Sequence, residues 1–426
     1  MPGTALPIFN AAMSRRQRWT MFVSSTSGAL ETFDIVAYAF FAQQIGRAFF
    51  PASAGATEML SFALLALGYL VRPLGGLIFG HLGDKHGRRQ VFAWSAMVAA
   101  AATLAIGLLP SYRVWGIAAP VLLLVLRLVQ GFCVGGELPG AVVYAVETQW
   151  KNRGFLCGIV FFAVNVALLI AAALNLALRM MLNSAQMDAF GWRVGFLFGG
   201  AVGLFSFALR RTLPETDEYR EATGARHRQP LAVLLRRHWP AVVTGIVASA
   251  LVGVTNGIFF AYVPAWLRQF GYEPQRIAQG QMLFVVVISI GMLAVARIGD
   301  VLPRRVIFRT GAVLSALFAP CFYVLLSRHL LGLPALFFLA GIVTSFAHGT
   351  FACVIAEMFP IGVRFCGVAA AINLGLATSM GTAPLLASVL VIKTQILPAP
   401  ALLIVLSAVL AFMASFFTGR EFVRMA

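Results

Sequence analysis

Ionisable side chains stand inside several long apolar stretches of this 426-residue chain. A charge at such a depth in lipid costs a few kcal/mol even on lenient scales, so its expected place is a cavity or a pair. Glu31 and Asp34 are three residues apart and therefore share a helical face. Their mutual repulsion and partial desolvation both favour a proton on one carboxyl, which is a way to carry a proton. The competing role is a structural, hydrogen-bonded acid near the mouth of a helix. Asp34 is the deeper of the two. Arg127 has Gln130 three residues on, again on its own face. Glu137 lies further along, about 15 Å down a helix axis and about 80° round it, so it is not expected to pair with Arg127 and needs another partner. Arg72 lies deep in an earlier apolar run. A guanidinium fork matches a carboxylate bidentately, so Arg72 and Arg127 point to an anionic ligand.

A second polar constellation is a tight turn between two apolar runs, Gly80-His81-Leu82-Gly83-Asp84-Lys85-His86-Gly87-Arg88-Arg89. A worn copy, Ala296-Arg297-Ile298-Gly299-Asp300-Val301-Leu302-Pro303-Arg304-Arg305, returns about half a chain later. Glu147 with Arg153, and Glu357 with Arg364, recur at nearly the same offset. Two landmarks in one register predict a duplicated six-helix unit, a construction used by one large class of membrane transporters. Gly80 and Gly83 let a helix end approach a neighbour, and Gly87 permits a reversal. Asp84 is expected to accept hydrogen bonds from a helix terminus or from Arg153, with Arg88 and Arg89 at an anionic leaflet. Such a cluster can act as a latch, Asp84 with Arg153 and Glu147 on one side, Asp300 and Arg304 with Arg364 and Glu357 on the other. The alternative is topology-setting charge plus a turn.

Composition sets the solvent. The chain is 60% hydrophobic and 11% charged, with a mean hydropathy of +0.88, too few charges to cover a soluble surface. About twelve runs are long enough to span a bilayer as helix. They begin near Phe22, Met59, Val91, Ala118, Phe155, Val194, Val242, Gln279, Ile307, Leu333, Val363 and Ala401. With both termini inside, basic residues fall mostly on the inner side, which is the positive-inside bias. The net charge of +17 is thus a topology signal rather than a nucleic-acid footprint. Residues 1–212 form the first bundle, 213–238 a cytoplasmic linker and 239–426 the second. No removable signal peptide is expected. The five cysteines (Cys133, Cys157, Cys321, Cys353, Cys366) show neither disulfide nor metal spacing. No nucleophile–base constellation or Walker loop is present, so neither an enzyme nor an ATP-driven pump is indicated.

The Gly80–Arg89 segment resembles the signature loop of the major facilitator superfamily. Further stretches resemble its metabolite:proton symporter branch, which includes citrate, 2-oxoglutarate, shikimate and proline/betaine carriers. These are Glu31-Thr32-Phe33-Asp34, Arg72-Pro73-Leu74-Gly75-Gly76, Arg127-Leu128-Val129-Gln130-Gly131, Gly135-Gly136-Glu137, Gly191-Trp192-Arg193, Glu215-Thr216, Glu357-Met358-Phe359-Pro360 and Gly381-Thr382-Ala383-Pro384. Trp150 and Pro303 depart from the family pattern, which weakens the second latch. The resemblance implies an all-α membrane fold of two six-helix bundles related by a pseudo-two-fold axis. It also implies a central cavity in which Arg127 meets Glu31 or Asp34. The expected activity is proton-coupled import of a small organic acid, a di- or tricarboxylate, by alternating access. The alternatives are a zwitterionic amino acid or betaine-type solute, an exporter of the same superfamily, or a non-transporting membrane sensor. The implied partners are that solute, the proton as coupling ion and the lipid of a bacterial inner membrane. No metal, no other cofactor and no nucleic acid are expected, and the chain is expected to be a monomer.

Overall fold

The computed structural model describes residues 14–50, 57–148, 150–222, 227–269, 271–328, 330–396 and 398–417. Among them the chain is helical, with no strand. Twelve long helical segments run in order: α1 Arg15–Phe40, α2 Thr57–His86, α3 Arg88–Leu108, α4 Ala118–Thr148, α5 Arg153–Met181, α6 Ser184–Arg210, α7 Trp239–Arg268, α8 Pro274–Ile298, α9 Arg304–Ser327, α10 Leu333–Glu357, α11 Ile361–Thr394 and α12 Ala401–Phe417. Nine of them are long and apolar enough to cross a membrane by length and hydropathy alone; α1, α2 and the shorter α12 are the exceptions among the described residues. Most helices begin where expected or a few residues earlier, α1 and α6 by more than a turn. At the start of α1, Ser14 Oγ accepts from the Gln17 amide while Gln17 Oε1 accepts from the Ser14 amide. This reciprocal capping box lets the basic turn of α1 stay helical beyond its apolar run.

The packing order reveals the internal symmetry. In the first half α2 packs on α4, α3 on α6 and on α4, and α1 on α5. Shifting each number by six gives α8 on α10, α9 on α12 and on α10, and α7 on α11, which are the main contacts of the second half. Across the halves the main contacts are α2 with α11 and α5 with α8, exchanged by the same shift, with α4 on α11 and α10 on α5 beside them. These are the two six-helix bundles and the pseudo-two-fold axis that the repeat predicts.

Lipid replaces water as the outer solvent, so burial cannot drive helices together and close backbone contact takes over. Gly131 of α4 faces the Gly68 carbonyl of α2, and Gly135 faces the Arg72 carbonyl. Leu70, Ile117, Met180 and Leu385 stand exposed on the outside, as side chains that meet acyl chains do. Two short helices, Asp217–Glu221 and Pro230–Arg237, lie between the bundles at the end that carries most of the arginines, called the basic end below. We expect Gly131→Ala, whose added Cβ would strike the Gly68 backbone, to cost about 1–3 kcal/mol. Gly381→Ala, where a Cβ meets nothing within 4 Å, should leave stability unchanged or slightly raised. Thermal unfolding in detergent distinguishes the two.

Candidate functional site

Two constellations form, one at the basic end and one inside the first bundle. At the basic end the two signature aspartates reach across the seams between bundles. Asp84, fully buried at the end of α2, accepts from the backbone amides of Phe365 (3.2 Å) and Cys366 (2.9 Å) at the start of α11. Asp300, after α8, accepts from Gly154 (2.7 Å) and Phe155 (2.9 Å) at the start of α5. Helix N-termini carry unsatisfied N–H groups and a partial positive charge, so a carboxylate there is stabilised twice over. Gly80 and Gly83 make the first approach possible: a Cβ at either would run into Cys366 or Phe365. Gly87, at φ 112°, makes the reversal into α3.

The charge pairing differs from the expected scheme. Arg153 pairs not with Asp84 but with Glu218 of the short helix between bundles. Glu147 instead takes Arg364 (2.7 Å) and Arg88, so it spans the α4–α11 seam. Arg364 also reaches Glu218 (2.9 Å) and does not meet Asp300. Asp300 takes Arg304 (2.8 Å), which also holds Glu357. Arg88 is not at the surface: it is fully buried, 3.4 Å from Asp84, donating to the Ile361 carbonyl (2.8 Å) and lying over the Tyr219 ring. Arg89 alone remains exposed, donating to the Arg211 carbonyl. Despite Pro303 at the start of α9, the Asp300 cap is complete.

Sequence reasoning missed the contribution of the segment between bundles. Glu215 accepts from the amides of Arg88 (3.1 Å) and Arg89 (3.3 Å), capping α3. Thr216 donates to Glu147 (2.6 Å) and Tyr219 to the Asp84 carbonyl (3.1 Å). The threonine just before Asp217 was a readable N-cap signal, but the surrounding charge read as solvated linker.

The second constellation lies where α1, α3, α4 and α6 meet. Asp34 Oδ2 accepts from Thr103 (2.8 Å) and Gln130 (3.1 Å). Gln130 Oε1 in turn accepts from Arg127 Nη1 (2.6 Å). Arg127 therefore meets Asp34 through Gln130, within one bundle rather than across a central cavity. Its guanidinium lies 3.5 Å above the Tyr38 ring, a cation–π contact that fixes its plane. Its Nε and Nη2 are buried and have no hydrogen-bond acceptor among the described residues; these two N–H groups form one edge of the fork. Asp34, Arg127 and Gln130 line a pocket with Tyr69, Arg72, Gly68, Gly131, Ile35 and Val134. The Arg72 guanidinium sits 5.4 Å over the Tyr69 ring. Glu137 is not in this pocket. It finds the partner it needed in Arg210, at 3.1 Å and almost fully buried. The side chain of Glu31 lies outside the described residues.

Other polar residues of the spans make bonds between helices. Asn373 of α11 donates to the Gly135 carbonyl of α4 (2.8 Å), and Asn165 of α5 to Ser289 of α8 (2.9 Å), one transverse bond on each seam. Asn256 and His348 are 3.0 Å apart within the second bundle. The cysteines are free, all but Cys321 buried.

Charge-assisted caps contribute about 1.5–3 kcal/mol, so losing one shifts an opening equilibrium at least about tenfold. In a Cys321→Ala background, Asp84→Asn should accelerate alkylation of the buried Cys366 thiol by that factor. An unchanged rate would show that the cap does not hold the seam.

A model of the Major Facilitator Superfamily matches residues 20–298. The chain is 31% identical over 412 residues to the putative proline/betaine transporter of Staphylococcus aureus (strain COL), covering 95% of this chain and 88% of the relative. It is 30% identical over 412 residues to the proline/betaine transporter of Escherichia coli (strain K12), covering 92% and 81%. In three dimensions it is similar to the proton:xylose symporter XylE bound to 6-bromo-6-deoxy-D-glucose (TM-score 0.71, 17% identity, 95% and 96% covered). It is likewise similar to a variant of the Escherichia coli fucose:proton symporter FucP (TM-score 0.70, 12% identity, 95% and 100% covered). At that identity the structural likeness speaks for the fold. Family model, relatives, crossed seams and repeated signature turn agree: this chain is an integral membrane protein and a member of the major facilitator superfamily, whose members are transporters rather than enzymes.

Proposed function

We propose that the protein is a proton-coupled importer of a small zwitterionic solute of the amino-acid or betaine type, working by alternating access. The observation that carries this is the open Nε–Nη2 edge of Arg127 in the same pocket as the Asp34 carboxylate. The fork suits the carboxylate that every candidate solute carries. Asp34 offers a counter-charge for the cationic end of a zwitterion, and it would repel a second carboxylate. The relatives carry proline and betaine in their names, which moves the order of preference away from the di- or tricarboxylate first expected. An organic acid remains the second reading, supported by Arg72 as another guanidinium in the pocket.

Gln130 couples the two events. Its amide oxygen faces Arg127 and its amide nitrogen faces Asp34, so a carboxylate arriving on Arg127 and a proton arriving on Asp34 both act on one side chain. Protonation of Asp34 removes the charge that Gln130 and Thr103 solvate. The positive-inside bias would place the basic end in the cytoplasm, together with the termini. The closed caps there then correspond to a state sealed from the inside, with the solute entering from the opposite face. Rocking of the bundles breaks the caps and opens the pocket inward.

Uptake into proteoliposomes under an imposed pH gradient tests this, comparing proline and betaine with di- and tricarboxylates. Gradient-driven accumulation of the zwitterions is the expected result; accumulation of the acids alone selects the second reading. Asp34→Asn should abolish accumulation above equilibrium, and full accumulation by that variant rejects the coupling role. Arg127→Lys replaces a fork by a point charge and should lower uptake efficiency about tenfold or more. Unaltered kinetics there would exclude Arg127 as a solute contact.

A further inference from the structure

Asp34 lines two cavities. The second lies among α1, α3, α4 and α6, all from the first bundle, and has room for about one water. Its walls are small, including Ala99, Ala100, Gly199 and Gly203, and its far end is the Glu137–Arg210 pair. We propose that protons leave Asp34 through this internal passage, with Glu137 as the next acceptor, so that proton and solute take separate ways out. This rests on the coupling role proposed for Asp34.

Three polar groups face the passage: the Asp34 carboxylate, the Glu137 carboxylate and the Arg210 guanidinium. Arg210 Nε is buried and has no acceptor among the described residues. Unfilled space with room for about one water, walled by two to four polar partners, is where ordered water resides. The other hydrogen-bonding groups near Asp34 are Thr103 on α3 and Gln130 on α4, which carries the Arg127 charge beyond it. In the transfer the O–H bond of protonated Asp34 breaks, a water relays the proton, and an O–H bond forms on Glu137. No co-reactant is required. Arg210 takes no part in the transfer. It is fixed by Glu137 (3.1 Å), by the Phe92 carbonyl (3.2 Å) and by the Phe92 ring, 4.5 Å away.

The placement also prevents a leak. Arg210 is the last residue of α6, and the next two, Arg211 and Thr212, are exposed. With the caps closed, however, Arg210 itself has no exposed surface and Glu137 has 3%. Phe92, which holds Arg210, is one helical turn from Arg88 on α3, and Arg88 is tied into the basic-end network. Opening that network releases the turn of α3 that seals the pair. The proton then reaches inner water only after the bundles have moved.

The experiment compares two readouts in proteoliposomes, pH-gradient-driven uptake of labelled proline or betaine and equilibrium exchange of the same solute. Glu137→Gln keeps a hydrogen bond to Arg210 but cannot shuttle a proton. It should slow gradient-driven uptake about tenfold or more while exchange changes less than about twofold. Ala99→Val keeps every polar group and narrows the passage; it should slow uptake in the same selective way. Wild-type uptake by Glu137→Gln overturns the passage. A parallel loss of uptake and exchange in both variants also overturns it, because that marks a packing role. If Asp34→Asn still accumulates solute, the coupling reading itself has failed, an outcome these two variants do not produce.

Discussion

Everything at the basic end depends on a carboxylate seated on the N-terminus of a helix from the other bundle. Asp84 sits on α11 and Asp300 on α5, and because the pseudo-two-fold axis exchanges these contacts, each bundle both gives and receives one. A carboxylate bonded to backbone amides is held by groups that cannot rotate away, unlike a lysine or arginine partner. The surrounding arginines then serve mainly to compensate charge. That explains why Arg88 can be fully buried: it lies among Asp84, Glu147 and the face of the Tyr219 ring, where an unpaired guanidinium would be costly.

The pocket in the first bundle obeys the same constraint of satisfying charge without water. Asp34 is solvated by Thr103 and Gln130, Arg127 by Gln130 and the Tyr38 ring. One edge of Arg127 is left over. In a buried site an unanswered donor pair is expensive, and that cost is the feature on which the proposed function rests. Every residue that lines the described pocket comes from the first bundle.

Much of this was legible in the residues themselves. The repeat of Asp84 by Asp300 and of Glu147 by Glu357 announces two equivalent bundles, and the seams bear the same two aspartates. The spacing of Arg127 and Gln130 places them on one face, and they do touch. The angular offset of Glu137 correctly separates it from Arg127. The pairings were not legible. Arg153, Arg364 and Arg304 are all arginines at one end of a bundle, and nothing in their order says which acid each will find. Glu218 was hidden because a charged stretch between apolar runs has the composition of solvated chain, and only folding shows it wedged between Arg153 and Arg364. Arg210 looked like one more topology-setting charge; its burial depends on the packing of α6 along α3 and on Glu137 across from it, which no local pattern records.

One consequence follows from Glu218. Arg364 stands on one seam and Arg153 opens the helix whose first amides grip Asp300 on the other, so this single acid ties together two frontiers that are otherwise apart. Strength in such a web is not a sum of strands. Cutting Glu147 and Glu218 one at a time, then jointly, would yield a combined loss unlike the total of the separate ones. Any opening of the junction between the halves would therefore be collective, all at once rather than strand by strand.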